Sequence, residues 1–248
     1  MPAMHSVYQS RASYLPTPVL WFDASDTSTI TQSSNRVVQW TDKSPNGYVA
    51  VQTDQNTAPT TGLTTWNGRN VVNFSSASTT HLDTTASFTQ ISGNNPHDIY
   101  IVVVSATLAT TWSKFFLMGN YTTSGATRGL GPSSTSGRLG FTFCNSDLIP
   151  LPTLNTTSPF LIQWRYDGGT GNQYGFVNNA ATNPVSQQPS SLQTINTPTL
   201  PFRLGWDGAN AAECPTFNFA ELLVYDRVLS AAEKNVVVNY LNKKWSVY

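Results

Sequence analysis

The chain carries only three glutamates, Glu213, Glu221 and Glu233, and acid–base hydrolysis of a glycoside would have to draw on them. A retaining glycosidase needs two carboxyls about 5 Å apart, one to protonate the leaving oxygen and one to attack the sugar. None of the three is spaced for that work on one strand. Glu221 lies in an apolar run, Glu233 follows Ser230 by three residues, and Glu213 falls in a loop-like stretch. His5, His81 and His97 read as surface imidazoles in an arm or in loops, without a Gly-x-Ser-x-Gly or His-Glu-x-x-His segment beside them. Cys144 and Cys214 lie far apart without Cys-x-x-Cys spacing, so neither zinc nor a redox pair is indicated. They read as two buried free thiols; a disulfide would require an oxidising compartment and the meeting of the two positions in space. On these grounds the sequence predicts a protein that is not an enzyme.

The surroundings of these residues are polar but weakly charged. Of 248 residues only 10% are charged, with 13 basic and 13 acidic side chains, so no segment offers the positive field that a phosphate backbone requires. Nucleic acid is therefore not an expected partner. The longest apolar runs, such as Ile99 to Val104, are too short to span a bilayer, so no membrane insertion is expected. Residues 1–18 contain Arg11 and no continuous apolar stretch, and read as an N-terminal arm rather than a secretory signal peptide. Residues 19–248 have a length that one β-sandwich core can hold.

Short runs rich in Val, Ile, Phe, Tyr and Trp alternate with clusters of Thr, Ser, Asn, Gly and Pro, the pattern of antiparallel strands joined by turns. The spacing predicts strands over Val19–Phe22, Arg36–Trp40, Asn70–Phe74, Asp98–Thr107 and Phe115–Gly119. Further strands are predicted over Arg138–Phe143, Phe160–Asp167, Gln173–Asn178, Phe202–Trp206 and Phe217–Arg227. Trp21, Trp40 and Trp164 fall on such strands and read as core. Strict alternation from Phe217 would put Phe217, Phe219, Glu221, Leu223 and Tyr225 on one face and Asn218, Ala220, Leu222 and Val224 on the other. One helix is expected: Ser230 and Glu233 form a capping box, Val237, Tyr240 and Leu241 recur at helical spacing, and Lys243 and Lys244 suit its negative end.

The segment Phe219-Ala-Glu-Leu-Leu-Val-Tyr-Asp-Arg-Val-Leu-Ser-Ala-Ala-Glu, continued to Trp245, resembles the closing strand and helix of laminin-G-like, concanavalin A-like jelly-roll domains. Leu20-Trp-Phe-Asp-Ala-Ser-Asp26, Trp40-Thr-Asp-Lys-Ser-Pro-Asn-Gly47 and Asn70-Val-Val-Asn-Phe74 resemble the opening of that family. In the middle, Phe160 to Asp167 and Gln173 to Asn178 resemble its hairpin, with Asn179 where glycine is usual. The resemblance implies an all-β, two-sheet antiparallel jelly-roll sandwich with a short C-terminal helix.

That family often binds calcium through loop carboxylates, which makes Asp23, Asp26 and Asp207 the candidate calcium ligands, with Asn210 beside the last. Asp26 reads equally as the cap of a turn. Glycan binding on such folds uses exposed rings that stack on sugar faces, and points to Trp112, Tyr121, Trp206 and Asn210. The fold hosts lectins, glycosidases, adhesion modules and virion parts and does not settle function. The low charge, the N-terminal arm without a signal peptide, and a lone jelly roll without catalytic groups make the leading expectation a non-catalytic structural or attachment component of a larger surface assembly, a virion (minor capsid, fibre or tail). Its arm would contact other subunits of the assembly. The alternative is a free-standing, lectin-like carbohydrate-binding module, assisted by calcium, at an extracellular surface.

Overall fold

The computed structural model describes residues 15–107, 112–133, 138–144, 147, 157–178, 195–206 and 211–248. In chain order its strands are β1 (Leu20–Asp23), β2 (Ile30–Ser33), β3 (Arg36–Thr41), β4 (Val49–Val51) and β5 (Thr60–Trp66). Next come β6 (Arg69–Phe74), β7 (His81–Phe88), β8 (His97–Thr107), β9 (Phe116–Gly119) and β10 (Thr127–Pro132). The last are β11 (Leu139–Thr142), β12 (Phe160–Tyr166), β13 (Gln173–Val177), β14 (Leu200–Gly205) and β15 (Thr216–Tyr225), before the helix α1 (Ala231–Trp245). Every pairing among the described strands is antiparallel.

These strands form two facing sheets. The first runs β11-β10-β9-β14-β7-β4-β3, with β2 beside β3. The second runs β6-β15-β8-β12-β13, with β1 also on β15. β5 pairs along β6 and meets β3 at Arg36 opposite Thr60, so one continuous hydrogen-bonded path bends from sheet to sheet. The architecture is the expected all-β, two-sheet jelly-roll sandwich with a C-terminal helix.

Period-2 alternation divides the apolar side chains between two cores. In β8, Ile99, Ile101 and Val103 face between the sheets, against Phe116, Phe141 and Phe202 from the first sheet. Tyr100, Val102 and Val104 face the opposite way, onto Val237, Val238, Leu241 and Trp245 of α1. β8 is thus covered on both faces, which explains its near-continuous apolar run. Each such fully buried aliphatic side chain stabilises the fold by about 1.5–3 kcal/mol relative to exposure.

Strict alternation fails in β15. Its register against β8 shifts between Asn218 and Phe219 and again between Phe219 and Glu221. Residues beyond the bulge therefore change face. Phe217, Phe219, Leu222 and Val224 all enter the inter-sheet core, while Ala220, Leu223 and Tyr225 pack under the helix. The capping box at Ser230 and Glu233 forms as the sequence indicates.

Four further expectations change. Trp40 and Trp164 are core between the sheets, but Trp21 is only half-buried and packs on the helix side. Cys214 is buried and Cys144 is half-buried, and both are free thiols. His97 is fully buried rather than on the surface, because it is the first residue of β8 and points into the core. His81 is half-buried on β7, with Nδ1 at 3.0 Å from the Thr79 carbonyl and Nε2 at 2.8 Å from Gln52. Residues 1–14, which hold most of the expected arm and His5, lie outside the described residues.

Candidate functional site

Asp23 and Asp26, candidates for calcium, do come together, but on ammonium groups. Lys43 Nζ lies 2.9 Å from each carboxylate, and Lys244 Nζ lies 2.7 Å from Asp23. Lys244 also reaches Glu221 at 2.8 Å, so the last turn of α1 is pinned to β1 and β15 by charge. Glu221 accepts three more hydrogen bonds, from Trp21 Nε1 (2.8 Å), Tyr240 Oη (2.9 Å) and Trp245 Nε1 (2.7 Å). Burial alone would raise the Asp23 carboxyl, but Lys244 and Lys43 outweigh it and hold it down at about 2. Burial and the Asp23 charge push Glu221 the other way, upward. The oxygens a calcium ion would need already hold lysines, so this cluster fastens the helix. Among the described residues, no three His, Cys, Asp or Glu side chains gather as a metal site.

The outer face of the first sheet offers different chemistry. Because Leu82, Phe116, Met118, Phe202 and Leu204 point into the core, Asp83, Leu117 and Arg203 point outward. The register places Val51 opposite Asp83, Asp83 opposite Arg203, and Arg203 opposite Leu117. Leu117 then faces Gly129, and Gly129 faces Thr142. One transverse row therefore crosses six strands. At its centre Arg203 grips Asp83 as a fork, Nε to Oδ1 at 2.5 Å and Nη2 to Oδ2 at 2.6 Å. A cleft of ≈ 220 Å³ opens there, lined by Asp83, Leu117, Met118, Gly119, Leu200, Pro201 and Arg203.

Beyond Leu117 the row is built on missing side chains. A Cβ on Gly129 would stand 3.1 Å from both Leu117 Cδ1 and Lys114 Cδ and 3.0 Å from Thr142 Cγ2, so the Lys114 stem lies in the gap between them. A Cβ on Gly131 would collide with the backbone at Ser113 and Lys114, and one on Gly140 would stand 2.5 Å from the Trp112 ring. These glycines let residues 112–115 cross low over the sheet. Lys114, buried, donates to the Trp112 carbonyl at 2.7 Å and holds its ammonium 5.3 Å from the Trp112 ring centre and 4.8 Å from that of Tyr121. The sequence-derived pair Trp112 and Tyr121 is thus brought together around a lysine, a cation–π arrangement.

Trp206 stands apart from them, at the end of β14, edge-on to His81 with ring centres 5.6 Å apart. Asn210 and Asp207 lie outside the described residues. Sequence reading overlooked Asp83, Leu117, Lys114 and Arg203. Only the cross-strand register unites them, and β7, which carries Asp83, is too rich in Ser and Thr to stand out as a strand.

A second polar group, also missed, is internal. Arg128 and His97 are both fully buried, with Arg128 Nη1 2.5 Å from His97 Nδ1 and Nη2 bonded to the carbonyls of Gly93 and Asn95. Burial lowers both, the guanidinium to about 9 and the imidazole well below its ordinary range, the latter helped by the Arg128 charge. Asp98, the next residue, faces the helix side and is pushed up to about 7 by burial, against hydrogen bonds from Gln163 (2.7 Å) and the Leu229 N–H (3.3 Å).

No protein-family model matches the chain, and no curated protein matches it. Solved structures do. An arabinofuranosidase complexed with arabinofuranosyl-α-1,2-xylobiose is similar at 17% identity and TM-score 0.57, over 83% of this chain and 50% of that one. The binding domain of Paraclostridial Mosquitocidal Protein 1 is similar at 12% identity and TM-score 0.58, over 90% and 52%. The ligand-binding domain of botulinum neurotoxin serotype D, in complex with N-acetylneuraminic acid, is similar at 13% identity and TM-score 0.55, over 90% and 50%. The chain spans about half the length of these structures. At such identities the likeness shows the β-sandwich fold alone. It does overturn the expectation that the chain is not an enzyme, since that fold is shared with an arabinofuranosidase. The glutamate spacing argues against one kind of carboxylate pair and does not separate this chain from hydrolases as a class.

Proposed function

We propose that this chain is a laminin-G-like, lectin-like carbohydrate-binding module that works at an extracellular surface. Its site is the transverse row on the outer face of the first sheet. The observation that carries the reading is the Asp83–Arg203 pairing across β7 and β14, which sets a polar fork beside the exposed apolar pair Leu200 and Pro201 in an open cleft. Sugars present that same combination, hydroxyls on one side and C–H groups on another. Trp112 and Tyr121 close one end of the row around Lys114. The names of the similar structures support the reading, because two of them carry a saccharide and two are binding domains.

The test is a glycan array with the fluorescently labelled full chain, with hits followed by titration calorimetry. Saturable binding that is lost when the row is altered is the expected result. An array without hits, confirmed by calorimetry on the strongest spots, would overturn the proposal.

A further inference from the structure

From the fork in the cleft we infer the class of saccharide: a neutral sugar bound through two vicinal hydroxyls. The inference rests on the carbohydrate-binding reading above and narrows it. Asp83 and Arg203 engage each other through both carboxylate oxygens, Nε and Nη2. That leaves Nη1 and the second Nη2 hydrogen as donors, and the remaining carboxylate lone pairs as acceptors, side by side. A hydroxyl both donates and accepts, so two neighbouring hydroxyls complement this edge. The Arg203 and Asp83 side chains are 27% and 32% exposed, open enough to be reached yet held by the two parallel hydrogen bonds between them.

Charge excludes the obvious rivals. The pair is neutral overall, and among the described residues that line the cleft the others are Leu117, Met118, Gly119, Leu200 and Pro201. An acidic sugar would meet the Asp83 carboxylate without an unpaired cation to offset it, and a cationic ligand would meet Arg203. Leu200 and Pro201, both exposed, supply the apolar contact for the C–H face of the ring, with the buried Leu117 beneath them. Lys114 stays out of the recognition because its ammonium is turned to the Trp112 carbonyl and the two rings.

The probes are neutral methyl glycosides of the gluco, galacto, manno and arabino series, the matching uronic acids, and mono-deoxy analogues, titrated into the full chain by saturation-transfer NMR and calorimetry. At least one neutral glycoside should bind better than its uronic acid. Removing one vicinal hydroxyl, or making Arg203→Met or Leu200→Asp, should each weaken it about tenfold or more. The deoxy penalty should shrink in Arg203→Met, since the Arg203 donor of that hydroxyl is gone while the Asp83 acceptor remains. If Arg203→Met does not fold, the exposed-site variant Leu200→Asp and the deoxy comparison on the native chain decide. Binding that ignores both substitutions, or a preference for the uronic acid, overturns the inference. If array glycans still bind in either case, the broader reading stands. If nothing binds the native chain, both fall.

Discussion

The indole of Trp245, the last residue of α1, donates to Glu221 in the middle of β15 at 2.7 Å, across 24 residues of chain. That bond joins the helix to a carboxylate that also takes Lys244, Tyr240 and Trp21. The charged cluster first read as a cation site therefore acts as the anchor of the helix, and the core beneath α1 depends on it.

Truncating that anchor is expected to be severe. Glu221→Ala leaves Lys244 facing Asp23 alone and strands two indole N–H groups. The expected loss is about 3–5 kcal/mol, measured by equilibrium denaturation, with hydrogen exchange rising first in residues 231–245. A loss under about 1 kcal/mol would show that the helix is held by apolar packing alone.

The pH dependence of stability has opposing parts from two adjacent residues. Asp98 carries its proton up to about pH 7 in the folded chain but only to its ordinary 3.8 when unfolded, so its stabilising effect is full below 3.8 and is lost as pH rises towards 7. His97, lowered by burial and by Arg128, acts in reverse: its contribution is full above 6.5 and is lost as pH falls further. Asp98→Asn should flatten the decline in melting temperature between about pH 4 and 7 and leave the acid limb in place. A profile identical to that of the native chain would refute the assignment.

The helix cap offers a milder perturbation. Ser230→Ala removes the acceptor of the Glu233 N–H and the bond from its own hydroxyl to Glu233. A cost of about 1 kcal/mol is expected, or about 2–4 °C in melting temperature for a chain of this size.

Gly140→Val tests the platform around Lys114. The added side chain would occupy the place of the Trp112 ring, which should leave its pocket and take Lys114 with it. Red-shifted tryptophan fluorescence with an unchanged far-ultraviolet circular dichroism spectrum is the expected outcome. An unshifted emission maximum would mean that the ring is not seated there.

Chelation makes a fifth test. Since Lys43 and Lys244 occupy Asp23 and Asp26, excess EDTA should leave the melting temperature and any glycan affinity unchanged. A fall in either would restore a role for a metal ion.

The sequence carried the layout of the fold well where local patterns suffice. The apolar runs of β8, β12 and β15 and the Ser230–Glu233 box are short-range signals, and each marks its element. β5, β7 and β10 escaped because Thr, Ser and Gly blur the alternation: Thr127–Pro132 contains two glycines and a proline, and only pairing on both sides makes it a strand. The same limit hid the site. Asp83, Leu117 and Arg203 are far apart in sequence, and their adjacency comes from register, which no local spacing encodes. The bulge in β15 shows this in miniature, since one extra residue moved Leu222 and Val224 to the opposite side from that implied by alternation with Phe217.

The pairing of β1 with β15 sets a schedule for biosynthesis. Leu20 lies opposite Val224, so the strand made first waits for a partner translated about two hundred residues later. At about 5–20 residues per second that interval is roughly ten to forty seconds, during which β1 has no native strand partner. The second sheet can zip up only once β15 has been made. Yield in a foreign host should thus depend on chaperone capacity and growth temperature more than on the final stability of the fold.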